Sequence, residues 1–407
     1  MNEYSGWTQK KLSEVGELIR GRRFTKSDYV DSGLGCIHYA QVHTGFGPVA
    51  RESLTFLAEE SRARMRLAHP GDLVIAATSE NVDDVGKAVA WLGDGDVAVH
   101  DDCYIFRHNL NPVYVSYFFM SSLFRLQKIK YVSETKVVRI SGSNLGMIEI
   151  PVPPQQVQEQ IVEVIGAVDD QIAALDAEAG TARSLLNMVL AEHFTAVDGQ
   201  PHRIVDLCSH VIGGVWGRPA GEDEVDRLAL GPRIYTPGTS DFVTDGSPVR
   251  SFTTKQANTR TVREQDIVLE RSGGSPDQPV GRVAIAGPGL EPCVPTDFQR
   301  LVRVDPEKAL PKYVFWRLRN DWESGLTRNY SRRTTGITNL SVTEYIAREI
   351  SLPSLEEQAG LAERAEAVDS LIVTLRAEAA SLRQVRASLL SKLLNPIGIE
   401  SAQLEVV

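Results

Sequence analysis

A chain of 407 residues exceeds one ordinary core and suits two or three domains. Its 42% hydrophobic and 24% charged content is that of a soluble globular protein, without the ~18-residue apolar run of a membrane span or the opening of a secretory signal. The net charge of -10 disfavours tight DNA binding by this chain alone, so any nucleic-acid reading must point to local basic clusters.

Residues 1–152 read as an α+β head. Leu73 to Ala77, Val97 to Val99 and Tyr104 to Phe106 have the apolar, β-branched make-up of buried strands, and Val113 to Phe124 that of an aromatic-rich helix. Arg20, Arg22, Arg23 and Lys26 form an early basic cluster. Lys128, Lys130, Lys136 and Arg139 form a late one, followed by Ser141. Cations with interleaved hydroxyls suit phosphate contact, and Arg also pairs with guanine edges.

Residues 153–197 form a long helix that begins after Pro153-Pro154. Ile161, Ile165, Val168, Ile172, Leu175, Ala179, Ala182, Leu186 and Val189 step by four and three, the seam of a coiled coil. About forty helical residues make a rod of roughly 60 Å.

A second α+β head spans 198–352, with a strand at Ile267 to Leu269 and a helix at Lys312 to Trp322. Its basic candidates are Arg218, the Arg271-Ser272 loop, and the run Arg328, Tyr330, Arg332, Arg333, Thr334 and Thr335. Residues 353–396 form a second long helix entered through Pro353, and 397–407 are a tail. The seam runs through Leu361, Ala365, Val368, Ile372, Leu375, Ala379, Leu382, Arg386 and Leu389, with Arg386 expected to snorkel to water.

The chain is therefore a duplication. Gln158, Glu163, Val168, Asp169, Ile172 and Leu175 recur at Gln358, Glu363, Val368, Asp369, Ile372 and Leu375, a constant offset of 200. The heads match more loosely: Val85-Gly86-Lys87 parallels Val280-Gly281-Arg282, Tyr131 parallels Tyr330, and Asn144-Leu145 parallels Asn339-Leu340. The expected fold is α+β, with two pseudo-repeated globular domains separated by two long helices that pair as an antiparallel coiled coil. Similar helices suggest a shared scaffold, and divergent heads suggest different targets.

Catalytic constellations are not evident. Asn111-Pro112-Val113-Tyr114 looks like the base-holding motif of adenine methyltransferases. It lacks a glycine-rich turn before it, and the second copy, Leu310-Pro311-Lys312-Tyr313, loses the asparagine, so a helix-starting proline is the better reading. No phosphate-binding loop occurs. His38 with His43, and His100 with Asp101 and Asp102, lack further ligands at metal-site spacing. The four scattered cysteines fit a reduced cytoplasm.

The sequence resembles the specificity subunits of type I restriction–modification systems. The resemblance is carried by Ile150-Pro151-Val152-Pro153-Pro154 with Gln158 and the long helix, and again by Ile350-Ser351-Leu352-Pro353, Glu356-Glu357-Gln358 and the second helix. It implies a non-catalytic subunit whose heads are target-recognition domains, each reading half of a split, asymmetric site in double-stranded DNA. The paired helices would set the gap and dock two methyltransferase subunits. S-adenosylmethionine, ATP and Mg2+ would belong to those subunits and to motor–nuclease subunits, with no cofactor or metal held by this chain. A related type II-like modification–cleavage system, or a scaffold that binds only proteins, remains an alternative reading.

Overall fold

The computed structural model describes residues 7–133, 137–236, 240, 242–274, 278–333 and 337–394. The chain divides into two compact units, Met1–Ala173 with Ala379–Val407, and Ala174–Glu378. Both divisions fall inside the long helices, Gln155–Ala196 and Leu355–Leu394, so each unit holds one head and a half of each helix. Among the described residues, no helix is long and apolar enough to cross a membrane.

In the first unit, one five-stranded sheet runs in the order Gly16–Arg20, Cys103–His108, Leu73–Ala76, Ala88–Trp91 and Val49–Ala50. A second sheet contains Tyr29–Val30, Thr55–Leu57, Leu34–Ile37, Val97–Val99 and Leu67–Ala68. The second unit has two four-stranded counterparts. One orders Cys208–Gly213, Gln299–Val304, Ile267–Glu270 and Val283–Ile285; the other orders Arg218–Pro219, Val249–Phe252, Val225–Leu230 and Cys293–Pro295. Each head is closed by its first strand pairing antiparallel with its last. These pairs are Thr8–Lys11 with Glu149–Val152, and Gln200–Arg203 with Glu349–Leu352.

The same acidic turn braces both heads. Asp72 accepts His69 N–H at 2.9 Å and a guanidinium from Arg107, with Nη2 at 2.7 Å. Asp266 accepts Arg263 N–H at 2.7 Å and Arg303, with Nη2 at 2.6 Å. The turn needs a left-handed residue, supplied by Gly71 at φ 99° in one copy and, against the usual cost of a side chain there, by Gln265 at φ 65° in the other.

A buried glutamine joins each head to its helix. Gln158 Oε1 accepts Asn111 N–H at 2.9 Å, while its Nε2 donates to Pro153 O at 2.9 Å. Gln358 repeats this on Leu310 N–H at 2.9 Å and Pro353 O at 2.8 Å. The two side chains are 4% and 1% exposed. Pro112 starts its helix as expected, and Asn111 caps it, its Oδ1 accepting Val113 N–H and Tyr114 N–H. Where the second copy has Ser354 in place of a proline, Ser354 and Glu357 form a reciprocal cap on the helix start.

In the first unit the helix pairing is antiparallel. Ile161 and Ile165, near the start of one helix, share a core with Leu390 and Leu394, at the end of the other. Phe118, Phe124 and Tyr114 of the head belong to that core too. Ile172, Leu175 and Leu186 are buried, as are Leu361, Ile372 and Leu375; Val168, Val368 and Leu382 are half-buried.

Three expectations need correction. The seam slips at both helix ends: Leu190 is buried and Val189 exposed, and Leu390 is buried while Leu389 lies at the margin. Steps of four through Leu186, Leu190 and Phe194 keep one face turned inward, because here the helix packs on its head, with Phe194 against Tyr313. Arg386 does not reach for water but pairs with Asp169 at 2.5 Å, and Asp169 also accepts the Tyr117 hydroxyl at 2.9 Å. The aromatic helix of the first head breaks at Ser121, whose hydroxyl accepts Phe124 N–H and starts the helix Ser122–Lys128. Its counterpart Pro311–Glu323 is unbroken.

Removing the glutamine amide strands a buried N–H and a buried carbonyl together. Gln158→Ala and Gln358→Ala should each cost about 1–3 kcal/mol, read as a lower urea midpoint; an unchanged midpoint would contradict the bracing role.

Candidate nucleic-acid interface

Three segments far apart in sequence converge at one edge of each head. Beyond the strand Leu73–Ala76, Thr78–Ser79 pairs antiparallel with Val138–Arg139. Beyond Ile267–Glu270, Ser272–Gly273 pairs with Thr338–Leu340, which pairs in turn with Ser331–Arg333. The loop before the next strand anchors this ribbon: Ala77 N–H donates to Asp102 O at 2.8 Å, and Arg271 N–H to Phe298 O at 2.7 Å.

The early cluster docks on the same loop. Gly21 and Arg22 donate to Cys103 O and Val99 O; Gly214 and Val215 donate to Gln299 O and Pro295 O. Glycine is required at this crossing, since a Cβ on Gly21 would fall on the Val99 and His100 carbonyls, and one on Gly214 on those of Pro295 and Thr296.

In the first head the result is an open cleft of about 360 Å³ that brings together Arg20, Arg23 and Arg139 with Thr78, His100, Asp101 and Asp102. Arg20 Nε donates to Asp101 O at 2.9 Å. His100 Nδ1 accepts Asp102 N–H at 3.2 Å, which leaves the proton on Nε2 to donate to Phe24 O at 3.0 Å. Among the described residues, His100, Asp101 and Asp102 place their ligand atoms within 4.8 Å of one another, the same three that the sequence sets side by side. Both ring nitrogens are bound to backbone, and the neighbouring cations are guanidiniums. Arg22, Lys26 and Lys130 are exposed.

In the second head Arg332 and Arg333 are exposed on the ribbon, with Arg332 3.2 Å from Glu344. Arg218 and Arg328 are also exposed. Arg271 lies close to Arg300, which the sequence reading missed: burial, then the Arg271 charge, holds the Arg300 guanidinium below its ordinary value. Only the fold reveals it: Arg300 pairs with Gly213, whose missing side chain leaves room for the guanidinium.

Several candidates have structural duties instead. Lys128 is 3% exposed and turns inward, its Nζ donating to Asp83 O at 2.9 Å and Val85 O at 2.7 Å. Burial pushes its ammonium down to about 8, so it is still charged at neutral pH yet out of reach of a phosphate. Ser141 caps the short helix Gly142–Gly146 through Asn144 N–H. Ser272 is buried and donates to Asn339 Oδ1 at 2.6 Å, and Tyr330 packs edge-on against Tyr345. Lys136, Thr334 and Thr335 lie outside the described residues.

The register between the copies also changes. Ile140 N–H donates to Ala77 O as Leu340 N–H does to Arg271 O, so Asn339-Leu340 corresponds to Arg139-Ile140 rather than to Asn144-Leu145. Asn144-Leu145 belongs to the short helix whose counterpart is Val342–Ile346. Arg139 and Arg332 therefore occupy partner strands of the ribbon, not matching positions.

Residues 4–178 match the model of the type I restriction modification DNA specificity domain. The chain matches it across the first head and the start of its long helix. It is 23% identical over 389 residues to the type I restriction enzyme StySPI specificity subunit of Salmonella potsdam, covering 89% of this chain and 81% of the relative. The S subunit of the type I system of M. genitalium has the same fold, with a TM-score of 0.56 and 12% identity over 97% of both chains. So has a chain from a structure of complex assembly and conformational transition in the type I R-M system, with a TM-score of 0.58 and 17% identity over 96% and 98%.

Within the first head, Lys128 and Lys130 should behave as opposites. Lys128→Ala is expected to cost about 1.5–3 kcal/mol in urea unfolding, and Lys130→Ala near zero; equal effects would return Lys128 to the surface.

Proposed function

We propose that this chain is the DNA-reading subunit of a type I restriction–modification complex, each head reading one half of a two-part asymmetric site. The observation that carries the reading is the duplicated edge. The same backbone hydrogen bonds build it in both heads, while the side chains it presents differ. A shared frame with unlike side chains is what two different half-sites require, since backbone contacts position a reader and side chains at base edges specify.

In this reading the cations divide by task. Exposed Arg22, Lys26 and Arg333 suit phosphates; Arg20, Arg23 and Arg139, gathered around one cleft, suit base edges. The long helices set the gap between the half-sites and dock two methyltransferase subunits, which also supply phosphate contacts that an acidic chain lacks. Methyl transfer with S-adenosylmethionine, and cleavage with ATP and Mg2+ by motor–nuclease subunits, belong to those partners. This chain contributes recognition and no chemistry.

The double variant Arg332→Ala, Arg333→Ala should weaken binding of the assembled complex through the second half-site and reduce the slope of log K against log salt by about 1–2. Equal loss at substitutions in either half-site would contradict it. Deleting one heptad from both helices should alter the preferred gap and leave the half-sequences intact, read by sequencing methylated DNA; an unchanged gap would sink the ruler.

A further inference from the structure

The two reading edges differ most at a pair of positions fixed by the shared hydrogen bonds. Gly21 and Gly214 cross their loops identically, so Arg23 corresponds to Trp216. Asp102 O and Phe298 O accept the same ribbon N–H, so Asp102 corresponds to Phe298. Arg23 and Asp102 both line the cleft of the first head. Two charged groups in one copy are two aromatic rings in the other.

Neither ring is buried: Trp216 is 42% and Phe298 39% exposed. An exposed aromatic at a single site is ordinary, but two at the positions that form the other head's cleft point to contact with a ligand. Both are also held in place. Arg250 lies over the Trp216 ring, 5.3 Å from its centre, and donates to Gly217 O at 3.1 Å. Phe298 O accepts both Arg271 N–H and Ser272 N–H. Phe298 closes the turn that leads into the strand Gln299–Val304, two residues before Arg300.

Resting on the DNA-reading role above, we infer that the second head recognises thymine methyl groups in the major groove through Trp216 and Phe298, where the first head uses charged Arg23 and Asp102. The thymine C5-methyl is the one apolar group on the major-groove edges, and a rigid exposed ring fits it. With one face covered by Arg250, the Trp216 ring is not free on both sides, as insertion between two base pairs would need.

The test uses the full chain assembled with its methyltransferase subunits and its own recognition sequence, found by sequencing methylated DNA. Duplexes carry deoxyuridine for thymine, one position at a time, which removes only the methyl group. Binding should weaken about 4-fold at one or more second-half positions. Trp216→Ala, Phe298→Ala should bind natural DNA more weakly and lose that sensitivity, keeping its response to changes in the first half. The uracil series on the unmutated complex needs no variant to fold. A second half-site without thymine, or uracil sensitivity unchanged in the double variant, overturns the inference and leaves the DNA-reading role standing. Loss of assembly with the methyltransferase in the variant assigns the rings to a protein contact instead, and also overturns it. A complex with no sequence preference at all overturns the role itself.

Discussion

A single amide side chain, used twice, makes each head and its helix one body. Gln158 and Gln358 each satisfy a backbone N–H at the start of a head helix and a backbone carbonyl at the proline turn that opens a long helix. Those groups are shut off from water, where an unmet donor or acceptor costs more than a hydrogen bond returns. Only a side chain that donates and accepts at once, at that reach, closes both. The reading edge is built on strands that pack on the same core, so what the glutamine fixes at one end positions the arginines at the other.

Part of the chain's charge does similar internal work. Asp72 with Arg107, Asp266 with Arg303, Glu270 with Arg282 and Asp169 with Arg386 are carboxylate–guanidinium pairs that brace turns, strands and the helix seam. Such pairs fix geometry more than they add stability. Each pair is neutral and leaves the net charge of -10 unchanged, so what an edge can bind depends on its own local cations. The guanidiniums around Arg139 and beside Arg300 stand in contrast to that background.

The sequence announced features with a period or a repeat. The proline–glutamine start, the apolar steps through Ile161 to Leu186 and the strands at 73–76 and 267–270 were all legible, because each has a local physical signature. Side-chain direction was not. Lys128 reads as part of a basic run, and only the fold turns it onto two carbonyls. Val189 continues a heptad on paper, but once the helix leaves its partner helix for its head, the native period of 3.6 places Leu190 inside. The edge was half legible: Arg20, Arg23, Arg139, Arg332 and Arg333 stood out as charge, whereas Trp216, Phe298 and Arg300 gain meaning only from hydrogen bonds linking segments about eighty residues apart.

The most direct measurement is selection of bound duplexes from a random library by the assembled complex. The account predicts two short fixed blocks of unrelated sequence, separated by a run of constant length and random content. A single continuous block, or two blocks whose separation varies freely, would contradict it.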